Sequence, residues 1–366
     1  MNPGANTRDG LSVVIPTWNG RALLEKFLPS VVAAVAAFED TCHRPAEILL
    51  ADDASSDDTL DWLARNSPQL RCESSAHNLG FAPTANRGIR AARWNLVYLL
   101  NNDVALDAST LPPLIDHFAE PEVFAVASEA YDCDTGQLRG GGQWGQLRHG
   151  FLGIHGRYFV PAPEPFADAP FLTLYAGGGS SLFDRQKFLA LGGFDELFAP
   201  LGWEDVELSL RAWKQGFQIR YEPRSRIWHQ FSSTIVSRFS QRQVRAIYER
   251  NRLLAHWLHL DTRSQIGKHA FFLMLKLIGS PLVGRWEMWS AFLQALARRK
   301  EVKAQRQSLR ARQQRTLKQV LGQIAAQLSR SEVHPLTPHT APLRPYNLSS
   351  RTPLLTEDVG LPAERD

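Results

Sequence analysis

The run LSVVIPTWNG, residues 11–20, decides the fold. Leu11 to Ile15 is a short stretch rich in β-branched residues and closed by Pro16, which reads as a buried strand. After Asn19 and Gly20, apolar residues at Leu23, Leu24, Phe27, Leu28, Val31, Val32 and Val35 recur at helical spacing. The alternation then repeats. Glu47 to Ala51 predicts a second buried strand, and Ser55-Ser56-Asp57-Asp58 offers cap hydroxyls and first-turn acids for a helix through Leu63. Trp94 to Leu100 predicts a further strand that ends abruptly at Asn101-Asn102-Asp103. Strands spaced by helices imply βαβ units, hence an α/β fold with a mainly parallel sheet flanked by helices.

Outward from this core the 366 residues change character. Residues 132–170, with Gly140-Gly141-Gly142, Pro161, Pro163 and Pro165, read as long loops with few regular elements. Regular structure resumes near Tyr175, and Glu204 to Trp213 has helical periodicity, with Glu207 and Arg211 spaced as an ordinary surface pair. The expected division is an α/β domain over 8–230, a helical, basic appendage over 231–329, and a disordered Pro-, Thr- and Ser-rich tail over 330–366.

A hydrophobic content of 44% excludes a wholly disordered chain. The net charge of +4 is unevenly placed. Between Arg298 and Lys318 nine Lys/Arg face only Glu301, so that segment carries +8 and the remainder −4. Three separated cysteines, Cys42, Cys72 and Cys133, support neither a disulfide framework nor a zinc cluster, and point to a reducing compartment. The first ten residues hold no apolar secretory segment, and the apolar stretches 27–38 and 269–284 are too short or too interrupted to span a bilayer. A cytoplasmic or membrane-surface protein is expected. Three readings compete for the basic end: an appendage with a solvated face, a membrane-surface element drawn to anionic lipid, and nucleic-acid binding. No nucleic-acid motif accompanies it, so no nucleic-acid partner is expected.

In an open α/β sheet, ligands bind outside the carboxyl ends of the strands. Three strands deliver polar residues to that edge: Pro16-Thr17-Trp18-Asn19, Asp52-Asp53 and Asn101-Asn102-Asp103. Carboxylates gathered there need a cation or hydrogen-bond donors, which favours a functional site over turn chemistry.

Five pieces in order, LSVVIPTWNG (11–20), ILLADDASSDDT (48–59), NLGFAPTANRGI (78–89), VYLLNNDV (97–104) and GGFDELFAPLGWEDVELSLRAWKQG (192–216), resemble the family 2 inverting glycosyltransferases, with their Rossmann-like GT-A fold. The resemblance covers residues 11 to about 230, and is nearest to bacterial rhamnosyltransferase-like enzymes of cell-surface polysaccharide synthesis. It implies a nucleotide-diphosphate sugar donor. Pro16, Thr17 and Trp18 would lie near the base, although a core role for the indole is as consistent. Asp53 matches the acceptor of a uracil- or thymine-type N3–H; its alternative, capping the next helix, is open to Ser55 and Ser56. Asn78 and Gly80 match the donor-pocket stretch, which continues through Asn86, Arg87 and Gly88. Gly178 and Gly179 would let backbone approach the donor.

Asn101-Asn102-Asp103 stands where the family carries its D-x-D metal motif. Asp103 matches the acid that binds Mn²⁺ or Mg²⁺, and Asn102, where Asp is frequent, leaves the site one negative charge short. His229 matches a metal-coordinating histidine of several members; a structural histidine is the alternative. Asp205 matches the general base, and Glu204 is either an alternative base or an acceptor-orienting group. A helix start implies a normal to low pKa and an ionised base at pH 7. The function this implies is a metal-dependent inverting transfer to a glycan or lipid-linked acceptor, at the inner face of the cytoplasmic membrane. The alternative is a catalytically inactive sugar-nucleotide-binding or scaffold protein on the same fold.

Overall fold

Leu11–Thr17 (β1), Ala46–Asp52 (β2), Arg71–Ser74 (β3) and Leu96–Leu100 (β4) form a parallel run in the order β4-β1-β2-β3. The computed structural model describes residues 9–161, 169–230 and 239–336. Helices α1 (Arg21–Cys42), α2 (Thr59–Asn66) and α3 (Phe81–Ala91) make the crossovers. Successive side chains of a strand point to opposite faces. Val13 and Ile15 accordingly pack with Leu24, Leu28 and Val31 of α1, while Val14 packs with Ala85 and Ile89 of α3. Burial on both faces is why these strands read as continuous apolar runs.

Beyond β4, Val104–Leu106 (β5) and the short helix Pro112–Ile115 (α4) lead to Val123–Asp132 (β6). The sheet continues through Ser180–Asp184 (β11), antiparallel to both β4 and β6, and then through β6 to Gln218–His229 (β12), which is parallel to β6. The result is a mixed ten-stranded sheet. Arg185–Leu191 (α5) and Glu204–Lys214 (α6) complete the α/β part.

The expectation of long loops over 132–170 does not hold. Leu138–Gly140 (β7) pairs with β6, Phe171–Leu172 (β10) with β12, and Gly142–Arg148 (β8) with Phe151–Phe159 (β9) in a hairpin that starts a second sheet. The glycines that mimic a loop make room for rings: a Cβ on Gly156 would stand 1.8 Å from the Trp144 indole nitrogen. Residues 162–168 of this stretch lie outside the described residues.

The basic end packs onto this body. Leu253, Leu254 and Leu258 of Gln241–His259 (α7), Leu273 and Leu277 of Arg263–Gly279 (α8), Met288 of Glu287–Ala297 (α9) and Val302 of Arg299–Arg312 (α10) share a cluster with Phe151, Leu197 and Phe198. Leu317, Val320 and Ile324 of Leu317–Ala326 (α11) enter the main core beside Trp213. Much of the +8 segment is committed to structure: Arg306 donates to the Trp257 and Leu260 carbonyls and Arg310 to Asp261. These close the orphan carbonyls at the end of α7. Within the tail read as disordered, His334–Pro335 (β13) pairs with β9, and residues 337–366 lie outside the described residues. No described helix is long and apolar enough to cross a membrane.

Candidate active site

Thirteen of the residues singled out from the sequence line one cavity of about 580 Å³ at the carboxyl edge of the sheet. Pro16, Thr17 and Trp18 leave β1, Asp53 leaves β2, and Asn102 and Asp103 leave β4, so topology alone brings them together. Asn102 Nδ2 donates to Thr17 Oγ1 at 3.0 Å, tying two strand ends. Asp53 accepts the backbone N–H groups of Leu79 and Gly80 at 2.8 Å each, and Asn78 Nδ2 reaches the Asp53 carbonyl at 3.2 Å. Asp53 therefore fixes the 78–80 loop rather than capping α2. Neither serine caps that helix: it starts at Asp58 without a side-chain cap, and Ser55 bonds Asp52 and the Asn19 amide. Gly80 has φ +90°, a left-handed turn that suits glycine and lets α3 begin beside Asp53.

β5 pairs antiparallel with the end of β12 in a register that sets Val104 opposite His229. This brings His229 Nε2 to 3.0 Å from Asp103 Oδ1 at the cavity wall. One carboxylate oxygen and one imidazole nitrogen form a two-ligand donor set, which fits a divalent cation that takes its remaining ligands from outside the protein. Among the described residues, no group of three or more His, Cys, Asp or Glu side chains gathers as a metal cage.

The opposite acids depend on an unusual entry to α6. The chain passes the cis bond Ala199–Pro200, Gly202 at φ +84° and Trp203 at φ +73°, which stands at the N-cap position. Asn251, fully buried on α7, donates to the carbonyls of Phe198, Leu201 and Gly202 at 2.6, 2.9 and 2.7 Å and holds this loop. Glu204 and Asp205 follow, facing the cavity.

The helix-start expectation of a normal or low pKa is wrong. Burial, then the adjacent Asp205 charge, pushes Glu204 up to about 8. Burial pushes Asp205 up to about 6, against bonds from the Val206 and Gly178 amides. The helix N-terminus loses to desolvation because surrounding atoms shield both carboxyls from bulk water, although Asp205 is open to the cavity. Glu204 Oε2 has no hydrogen-bond partner among the described residues. Near neutral pH the pair thus holds one proton, with Asp205 the more readily ionised member.

Glu207 and Arg211 are not a surface pair. They are 1% and 8% exposed, and their side chains bond at 2.5 Å with a second contact at 3.2 Å. Arg211 also donates to the Leu191 and Gly193 carbonyls, and His259 of α7 lies 3.3 Å from Glu207. Burial would raise the Glu207 carboxyl, but Arg211 and His259 outweigh it and hold it down at about 2. Asn86 and Arg87 do not line the cavity: Asn86 bonds the Phe194 backbone, and Arg87 donates to the Asp52 and Glu73 carbonyls. The sequence reading missed the aromatic wall of Tyr175, Trp203, Phe239 and Tyr248. Trp203 sits beside the recognisable Glu204-Asp205 pair; Phe239 and Tyr248 come from a segment with no local motif.

Residues 12–189 match the glycosyl transferase family 2 profile, and residues 171–233 match one described as the N-terminal domain of galactosyltransferase. The human polypeptide N-acetylgalactosaminyltransferase 16 is 27% identical over 194 residues, which cover 50% of this chain and 34% of that protein. The N-acetylglucosaminyl-diphospho-decaprenol L-rhamnosyltransferase of Mycobacterium tuberculosis H37Rv is 27% identical over 241 residues, 60% of this chain and 76% of that one. The chain thus spans about a third of the length of the N-acetylgalactosaminyltransferase relatives. Among solved structures, GalNAc-T7 with UDP, GalNAc and Mn²⁺ has a TM-score of 0.53 at 18% identity, covering 70% of this chain and 49% of that one. S. aureus TarS 1–349 in complex with UDP-GlcNAc has 0.52 at 16% identity, covering 83% and 88%. At these identities the likeness is one of fold.

Proposed function

From the premise that the chain is a family 2 glycosyltransferase, we propose that it moves a sugar, with inversion, from a nucleotide-diphosphate donor to a glycan or lipid-linked acceptor. The observation that carries the proposal is the convergence of Asp53, Asp103 and the Glu204–Asp205 pair on one cavity. Pro16, Thr17, Trp18 and Asp53 take the base and ribose, while Asn78, Gly80, Asn102, Gly178 and Gly179 line the path to the diphosphate and sugar. Asp103 and His229 are the residues that would hold Mn²⁺ or Mg²⁺, and the cation, when bound, supplies charge neutralisation for the departing diphosphate. The Mn²⁺ in the GalNAc-T7 structure supports a divalent ion on this fold.

Asp205 is the base. The acceptor oxygen attacks the anomeric carbon, the bond from that carbon to the diphosphate oxygen breaks, and the acceptor proton passes to an Asp205 carboxylate oxygen. A carboxylate held at about 6 is ionised at neutral pH, yet basic enough to accept that proton. Glu204, protonated at neutral pH, orients the acceptor hydroxyl. The aromatic wall excludes water from this step. The rhamnosyltransferase relative, whose name gives a diphospho-decaprenol acceptor, supports the lipid-linked option. Cell-surface polysaccharide as the product class and the inner face of the cytoplasmic membrane as the place of work complete the proposal.

The inactive sugar-nucleotide-binding reading fares worse. Two adjacent acids with raised pKa values destabilise the fold at neutral pH, and a binding relic has no use for that cost. The test is a screen of UDP-, dTDP- and GDP-sugars with and without Mn²⁺, read by thermal shift and by nucleotide release with an acceptor. A donor that raises Tm only with metal, and whose nucleotide is released on adding acceptor, supports the proposal. Binding without release under every acceptor tried favours the relic, and no binding at all refutes the donor assignment.

A further inference from the structure

We infer that the turn between α8 and α9, with the helix ends that flank it, is the surface by which this protein docks on an anionic lipid bilayer. The inference rests on the membrane location proposed above and is independent of the chemistry. Leu282 is 86% exposed, Val283 69%, Trp286 66% and Ile278 61%, a run of large apolar side chains at one projecting turn. Phe271 on α8 and Leu293 on α9 extend it, at 53% and 58%. An exposed apolar patch of this length marks an interaction surface rather than a packing accident.

The surrounding charge chooses the partner. From Arg263 to Lys300 there are seven Lys/Arg against the single acid Glu287, and Glu287 is already engaged by Arg245 at 3.2 Å and by Arg285 at 3.8 Å. Indole and branched apolar groups, carried on a segment whose charge is almost wholly cationic, match the boundary between acyl chains and anionic headgroups. A second copy of the chain would bring the same cations against themselves, which disfavours a symmetric dimer through this face. No described helix can span a bilayer, so attachment is to the surface.

Position gives the docking a purpose. The Arg245–Glu287 ion pair fastens the start of α9, directly after the apolar turn, to the first turns of α7. Tyr248, one turn further along α7, lines the cavity. A bilayer under Leu282 and Trp286 therefore lies beside the wall of the cavity that faces the acceptor. The docking element is this turn, not the +8 segment, whose Arg306 and Arg310 are tied to backbone carbonyls.

The test is flotation of the full chain with vesicles of phosphatidylcholine alone, and of phosphatidylcholine with one-third phosphatidylglycerol. The wild type should float with the anionic vesicles, weakly with the neutral ones, and less in high salt. Leu282→Glu with Trp286→Glu should weaken anionic-vesicle binding about tenfold or more, the effect of withdrawing two buried apolar side chains. Both positions are exposed in solution, and an unchanged donor-induced thermal shift in the variant certifies its fold. Wild type that stays with the soluble fraction on anionic vesicles overturns the proposal, as does a variant that floats equally well. Sedimentation showing a dimer that the two substitutions dissociate, without vesicle binding, would reassign the face to self-association. Wild-type flotation without any donor binding would sink the transferase reading and leave this one standing.

Discussion

Replacing Glu204 by Gln separates the roles of the two adjacent acids. In the wild type, kcat/KM should rise with pH as Asp205 ionises, with an apparent pKa of about 6, and fall as Glu204 loses its proton, near 8. With a single ionisation near 6, about nine-tenths of the base is available at pH 7 and about a tenth at pH 5, so the acid limb spans roughly tenfold over those two units. Glutamine keeps the size and hydrogen-bonding capacity of protonated Glu204 but cannot ionise. The acid limb should stay near 6, because burial is the leading cause of the Asp205 shift, and the alkaline limb should vanish. Asp205→Asn should instead lower kcat by about 10²–10⁴-fold at every pH, with donor affinity near the wild-type value. The assay is initial-rate nucleotide release across pH 5–9 at saturating metal. If Glu204→Gln is inactive while Asp205→Asn turns over normally, the base is Glu204 and the assignment is off by one residue. If both turn over normally with an unaltered profile, neither acid is the base and the mechanism is wrong.

The same pair predicts a stability trend: a carboxyl raised in the folded state stabilises at low pH and ceases to do so as pH rises through its folded pKa. Wild-type Tm should therefore fall between about pH 4.5 and 8 relative to Glu204→Gln, and parallel Tm curves would refute this. Glu207 has the opposite sign, since its lowered pKa contributes stability above the ordinary carboxyl range that is lost as pH falls toward about 2. Glu207→Gln leaves Arg211 buried and half-paired and should cost about 3–5 kcal/mol by urea denaturation; a loss under about 1 kcal/mol would mean water reaches the pair. Asp103→Ala should abolish the Mn²⁺-dependent part of donor binding in calorimetry, and unchanged affinity would remove Asp103 from the metal site. Asn251→Ala should lower kcat while circular dichroism stays native, because it frees the loop that presents Glu204 and Asp205; unaltered kcat would show that the loop holds itself.

What the sequence revealed, and what it hid, divides along a physical line. Asp53, Asn102 and Asp103 were legible because strands buried on both faces are unmistakable apolar runs and everything polar at their ends must share one edge. The β8–β9 hairpin was hidden because its glycines carry no side-chain pattern; their role exists only against Trp144 and Tyr158 across the hairpin. Spacing alone says that Glu207 and Arg211 meet, not that α6 buries them under α7. The raised pKa values were likewise out of reach, since the helix-dipole argument is local and desolvation is a property of the assembled cavity.

Two of the features the sequence hid, the burial of Glu207 with Arg211 and the loop that presents Glu204 and Asp205, depend on residues 241–336, which pack into the same body as the sheet. α7 supplies Tyr248 to the cavity, Asn251 to the loop before Glu204, and His259 to the Glu207 network. The end of α7 is in turn closed by Arg306 and Arg310 and by Asp261, which accepts from Lys214 of α6 and the Leu317 amide. α11 then buries Leu317, Val320, Leu321 and Ile324, all at 8% exposure or less, against the core around Trp213. Burying each such side chain is worth about 1.5–3 kcal/mol, so together they rival the whole net stability of an ordinary domain. A chain ending at residue 296 loses this helix and both arginine closures together. It should be insoluble, or collapse without a cooperative unfolding transition, rather than remain a folded transferase released from the membrane. A soluble 1–296 fragment with a sharp urea transition and native donor affinity would show that the basic end is separable after all, and that the Asp205 environment is built without it.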